Sequence, residues 1–414
     1  MADRRARWML RAAVVALALG WAGASVGGTA QAADGPPQRP AVTADNGCAP
    51  GSPVIHRERT WAQGRLAPER IWPLSTGAGV TVAVLDTGIS ERAPALRDAV
   101  LPAVDSTKES VQDGDCIGSG TFLAGIIAAR PAPDVAFTGL APQAALLPVR
   151  VASDRDDIGA NVLAAGIRAA VDGKAKVIAV GQSAAAGSDE LRAAVVEATQ
   201  AGVLIIAGVD SDRPAYPAAY PEVLAVAPLD RAAGAAGSAP AGRVDLVAPG
   251  EEVVSIATTG RGHFFDSGPA VAVAFVAGAA ALVRGYHPEL DPVQVKKRLL
   301  GTADAPGRRP LPDPAQGYGV VDPYAAVTAV VAEDLGNGPP PPVATARPAR
   351  PAQPDLRPAR LAYAAAGGTF VLVAAAALAS WLLVQRRRRD ADAQPGPSAG
   401  GASDEVREAL SSAR

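Results

Sequence analysis

A side-chain hydroxyl attacks a carbonyl only when a base stands within hydrogen-bond reach, and this chain has three histidines in 414 residues. His56 precedes the first long apolar run, His263 lies shortly before an alanine-rich stretch that opens at Pro269, and His287 follows that stretch beside Pro288. His263 reads as a solvated loop histidine. Ser119 and Ser267 are hydroxyls with no evident base beside them. Carboxylates offer a second route, because Asp86-Thr87-Gly88 and Asp266-Ser267-Gly268 repeat one triplet, and two carboxyls sharing a proton can activate water. No cofactor and no metal site is expected. With 39 basic against 41 acidic side chains, no global basic field points to nucleic acid.

The elements that must position these groups alternate in type. Val80–Leu85, Ala145–Val151, Val177–Val180, Val203–Ala207, Val223–Val226 and Val244–Val247 are apolar runs of strand length. Helices are expected at Gly120–Ala129, Ile158–Val171, Ser188–Ala201, Pro269–Gly285, Pro292–Gly301 and Pro323–Glu333. Continuously apolar strands alternating with helices predict an α/β fold whose mostly parallel sheet is covered on both faces. Ligands on such sheets gather beyond the C-terminal strand ends. Asp86 stands at such an end, after Val80-Thr81-Val82-Ala83-Val84-Leu85. The same alternation argues against the paired-carboxyl route, since aspartic proteases are all-β.

With these elements in place, the sequence resembles the subtilisin-like serine proteases, in which Asp, His and Ser follow one another in short motifs. Val82-Ala83-Val84-Leu85-Asp86-Thr87-Gly88 is similar to the aspartate motif. Gly118-Ser119-Gly120-Thr121-Phe122-Leu123-Ala124-Gly125-Ile126-Ile127-Ala128 resembles the histidine motif, with Ser119 where histidine belongs. Gly268-Pro269-Ala270-Val271-Ala272-Val273-Ala274-Phe275-Val276-Ala277-Gly278 resembles the nucleophile motif, with Ala270 at the serine position. Ala207-Gly208-Val209 stands where the family's Ala-Gly-Asn supplies an oxyanion donor. The resemblance implies a three-layer subtilisin-like fold over Trp61–Glu333 that keeps Asp86 and lacks base, nucleophile and side-chain oxyanion donor.

More narrowly, Trp61-Ala62-Gln63-Gly64-Arg65-Leu66-Ala67-Pro68-Glu69-Arg70-Ile71-Trp72-Pro73-Leu74 and Gly77-Ala78-Gly79-Val80 resemble the mycosins of type VII secretion. The ends of the chain fit that subfamily. Arg4, Arg5, Arg7 and Arg11, an apolar core Ala12–Leu19 and Ala30-Gln31-Ala32 predict a signal peptide over 1–32. Residues 33–79 then form an N-terminal extension, 80–335 the subtilisin-like domain and 336–360 a proline-rich linker. Leu361–Val384 is uncharged and Arg386–Arg389 follows, which predicts a transmembrane helix with a cytoplasmic tail at 385–414 and the domain outside.

Export permits oxidation, so Cys48 and Cys116 are expected to pair; the resemblance to mycosins, which carry a comparable bridge, implies the same. Taken together, these readings predict a pseudoprotease in the cell membrane that serves a type VII secretion complex. A peptide-binding role for the old cleft and a serine endopeptidase with a relocated site are the alternatives.

Overall fold

The computed structural model describes residues 35–41, 47–107, 114–153, 158–232, 240–305, 307, 310–331, 379 and 381–383. The first of two compact units, Met1–Pro340, contains the fold. Its elements in chain order are α1 (Trp61–Leu66), β1 (Thr81–Asp86), β2 (Val104–Asp105), α2 (Ser119–Ala128), β3 (Ala145–Arg150), α3 (Ala160–Asp172), β4 (Val177–Val180) and α4 (Asp189–Gln200). There follow β5 (Leu204–Gly208), β6 (Leu224–Leu229), β7 (Leu246–Pro249), β8 (Val253–Ile256), β9 (His263–Asp266), α5 (Pro269–Tyr286), α6 (Pro292–Gly301) and α7 (Pro323–Thr328).

Seven parallel strands form one sheet in the order β2-β3-β1-β4-β5-β6-β7. Side chains alternate across a strand, and the two cores follow that parity. Val82, Val84, Ala179, Leu204 and Ile206 pack with Phe122, Leu123 and the buried length of α5. Ala83, Leu85, Ile178, Val180, Ile205 and Ala207 pack on the other face with Leu163, Ile167, Leu191 and Val195 of α3 and α4. The expected three-layer α/β architecture is therefore present.

Helix α5 is apolar almost all round, and the described part of the chain buries it accordingly. It is also the described helix long and apolar enough to cross a membrane, with 78% of its window buried in the core. Its apolarity belongs to the interior of the fold. Pro269 opens it at N1, where the missing amide costs no hydrogen bond.

Three expectations shift. The helix expected over Pro323–Glu333 ends at Thr328, where the buried Arg298 guanidinium takes the carbonyls of Ala326 and Ala329. The strands expected at Val223–Val226 and Val244–Val247 run instead over Leu224–Leu229 and Leu246–Pro249. The antiparallel pair β8–β9 was not anticipated.

The N-terminal extension also belongs to the fold. Ala62, Leu66 and Ile71 lie in the main core, and a capping box between Thr60 and Gln63 starts α1. Further upstream, the free edge of β9 is taken up by the extension: the Phe265 amide donates to Pro37 O, the Arg39 amide to Phe265 O, and the His263 amide to Val54 O. An open strand edge is thereby closed. Cys48 is bonded to Cys116 as expected, fixing the extension to the loop that leads into α2. Closing 68 residues contributes up to about 4 kcal/mol on the chain-entropy estimate.

The expected signal peptide and proline-rich linker lie outside the described residues. So does the expected transmembrane segment, apart from Ala379 and Trp381–Leu383, which are helical.

Candidate functional site

Asp86 ends β1 and is fully buried. A carboxylate taken out of water needs donors, and the turn after the strand supplies them. The Thr87 amide donates to Oδ1 at 2.8 Å, and Gln182 Nε2, just past the end of β4, reaches Oδ2 at 3.3 Å. The Ser119 side chain lies close enough to the same carboxylate to favour its ionised form. Burial is the largest influence and pushes the Asp86 carboxyl up from 3.8 to about 6; the Thr87 amide opposes this, Asp115 adds to it, and Ser119 and Arg39 oppose it. The cavity for this carboxylate leaves no spare room, because a Cβ on Gly181 would stand 2.1 Å from Oδ2.

Ser119 opens α2 and is buried. The helix start is organised by Asp115, whose Oδ1 accepts the Gly118 amide and Thr87 hydroxyl, both at 2.8 Å, while Oδ2 accepts the Thr121 amide and hydroxyl. A carboxylate at a helix N-terminus satisfies free amides and complements the helix dipole. Thr87 thus links Asp86 to the base of α2, and the side chain at 119 is held against Asp86. A histidine there would be oriented by the carboxylate; a serine offers only a hydroxyl.

Ala270 is the second residue of α5 and packs against the main core. The helix start lies against the end of β5, since a Cβ on Gly208 would come within 2.6 Å of Pro269 Cβ. This close approach brings the family's nucleophile and oxyanion segments together. Val209, however, keeps the parity of β5: its side chain joins the cluster of Ile205 and Ala207, and its amide donates to Val226 O at 2.8 Å. It presents an apolar group to the far core and no donor near Ala270.

The three histidines are placed clearly. His263 is buried on β9, contrary to its reading as a solvated loop residue. Its Nδ1 accepts the His56 amide at 3.2 Å and its ring stands edge-on to Phe137. Burial, then the neighbouring His56, hold its pKa down at about 4, against a smaller opposing influence from the Val54 backbone. His287 follows α5, with Nε2 against Val327 O and Nδ1 near Glu289. None is hydrogen-bonded to Ser119 or Ser267. The Ser267 hydroxyl accepts the Glu252 amide.

The paired-carboxyl route fails on partners as well as on fold. Oδ2 of Asp266 accepts Arg39 Nε at 2.8 Å and Nη2 at 2.6 Å, a charge-assisted pair that commits this carboxylate to Arg39. Arg39 Nη1 also reaches Ile117 O, and the guanidinium lies 6.0 Å from the Phe122 ring centre.

Asp115, Gln182 and Arg39 are the site residues that sequence reasoning missed. Gln182 had a signal, its place just beyond a strand end. Asp115, four residues before Ser119, carried a weak capping signal, and Arg39 carried none.

Asp86, Thr87, Asp115 and Gln182 thus form one hydrogen-bonded group at the start of α2, in a chain similar to several known proteins. Mycosin-3 of Mycobacterium tuberculosis is 31% identical over 401 residues, spanning 80% of this chain and 85% of its own. The crystal structure of MycP1 from the ESX-1 type VII secretion system superimposes with a TM-score of 0.60 at 28% identity, covering 75% of this chain and 94% of that one. The MycP3 protease from the type VII (ESX-3) secretion system gives 0.60 at 29%, covering 71% and 97%. Residues 77–319 match the subtilase family, the S8 peptidases, and the chain belongs to that family.

Proposed function

We propose that this chain is a catalytically silent, mycosin-like subtilase that works as a structural or interaction component of a type VII secretion membrane complex. One observation carries the reading: the positioning network of Asp86, Thr87, Asp115 and Gln182 persists around positions 119, 209 and 270, where no base, oxyanion side chain or nucleophile stands. The Ser119 hydroxyl stands beside a carboxylate, and no imidazole is hydrogen-bonded to it among the described residues. Val209 points its apolar side chain into the opposite core. The likeness to MycP1 and MycP3, described as coming from type VII systems, supports the secretion context.

In this reading residues 1–32 direct export and Leu361–Val384 anchors the chain as a single span with the domain outside the cytoplasm. The linker 336–360 sets the domain up to about 75 Å from the bilayer, at about 3.1 Å per extended residue.

The chemical half is tested on the purified full chain with a fluorophosphonate probe and a casein substrate. No labelling and no cleavage are expected. Labelling that is lost on Ser119→Ala or Ser267→Ala would establish a relocated nucleophile and overturn the reading.

A further inference from the structure

A cavity of about 110 Å³ lies at the far end of α2 from Ser119. The helix runs ten residues, so the two are separated by about 15 Å at 1.5 Å per residue. Val135, Phe137 and Ile256 form apolar walls, and Ala95 closes one side. An apolar cavity of about 150 Å³ accepts a benzene-sized molecule, so this one fits a branched side chain of about four carbons.

Two polar groups are poised over these walls. His263 lines the cavity and is buried. Because Nδ1 accepts the His56 amide, the neutral ring carries its proton on Nε2, and among the described residues nothing accepts it. That donor belongs to a residue lining the cavity, where an acceptor on a ligand can meet it. At the rim stands Arg130, half-buried, whose guanidinium is in no hydrogen bond or ion pair among the described residues. No acidic side chain lines the cavity, and Arg261 adds a second guanidinium to it.

We propose that this cavity binds the C-terminal residue of a protein chain: its branched apolar side chain among Val135, Phe137 and Ile256, its free carboxylate on Arg130, and a carbonyl on the Nε2–H of His263. The combination is specific in chemistry. An apolar side chain alone would leave the histidine proton unmet, and an anion alone would leave the walls wet. The low pKa of His263, about 4, keeps the ring a neutral donor throughout the neutral range, so the rim arginines supply the positive charge. Since the site is remote from Asp86, its use does not depend on whether the old triad is silent.

The test is calorimetric titration of the full chain in detergent with acetyl-Ala-Ala-Leu bearing a free carboxylate, against the same peptide as its amide and against acetyl-Ala-Ala-Gly. Saturable binding of the first is expected, with the amide and the glycine peptide each weaker by about tenfold or more, a difference of about 1.4 kcal/mol. Arg130→Gln should lower the free acid to the level of the amide, and Ala95→Phe, which fills the cavity, should abolish binding of all three. Equal affinity for acid and amide, no effect of Arg130→Gln, binding that survives Ala95→Phe, or no binding up to about 10 mM would each overturn the proposal.

Discussion

Ser119 stands beside the buried carboxylate of Asp86 and draws its pKa down against the larger effect of burial, so the family's histidine position holds a hydroxyl next to the carboxylate. In an active subtilase the carboxylate orients an imidazole and stabilises its charge. Here no cation faces Asp86 at that position, and burial dominates its electrostatics.

A pH-dependent stability effect follows. The folded pKa of Asp86 is raised from 3.8 to about 6, so between these values the native state holds a proton that the unfolded chain has released. The contribution of this group to stability is full at low pH, falls as pH rises through that window and stays low above it. At 1.36 kcal/mol per unit the upper bound is about 3 kcal/mol. Asp86→Asn should therefore stabilise the fold at pH 7.5 by about 1–2 kcal/mol, an increase of about 2–8 °C in Tm, and make no difference at pH 4. His263 acts with the opposite sign: its pKa is depressed from 6.5 to about 4, so its stability is present above 6.5 and is lost as pH falls toward 4. The two slopes oppose one another in the wild type, and Asp86→Asn should expose a steeper loss on acidification. Urea titrations at pH 4, 5, 6 and 7.5 measure this; a variant less stable than wild type at pH 7.5 would refute it.

The Arg39–Asp266 pair ties the extension to the segment entering α5. Removing one partner of a buried ion pair leaves the other charge uncompensated, at a cost of about 3–5 kcal/mol. Arg39→Met should destabilise by about 3 kcal/mol, and most of the loss should return when Asp266→Asn is added. A double variant as unstable as the single one would place the loss in the packing of Arg39 over Phe122.

Rebuilding the triad tests what the scaffold retained. Ser119→His with Ala270→Ser should give little turnover, because one missing oxyanion donor costs about 10² to 10³ in the subtilisin example. Val209→Asn should recover only part of that, since the side chain at 209 follows β5 into the cluster of Ile205 and Ala207. Casein hydrolysis by the two variants decides between these outcomes, and strong turnover from the double variant would show that position 209 is not limiting.

Much of the site was legible because its parts are local. Val82–Asp86 carries strand periodicity into a carboxylate, and the packing residues of α2 and α5 surround Ser119 and Ala270 within single helices. What escaped the sequence depends on long-range pairing. Arg39 meets Asp266 across 227 positions, and no local pattern marks it. His263 was misread because β9 is short and its burial comes from Val54 and His56 laid across its edge. The β8–β9 pair was missed for the same reason: its four-residue strands are specified by their neighbours.

The scaffold role is tested most directly by type VII substrate secretion in a strain whose own copy is replaced by variants of this chain. Deleting 361–389 should abolish secretion or shrink the membrane complex on native gels, while Asp86→Asn should leave both intact. Normal secretion and unchanged complex size after the anchor deletion would contradict the account.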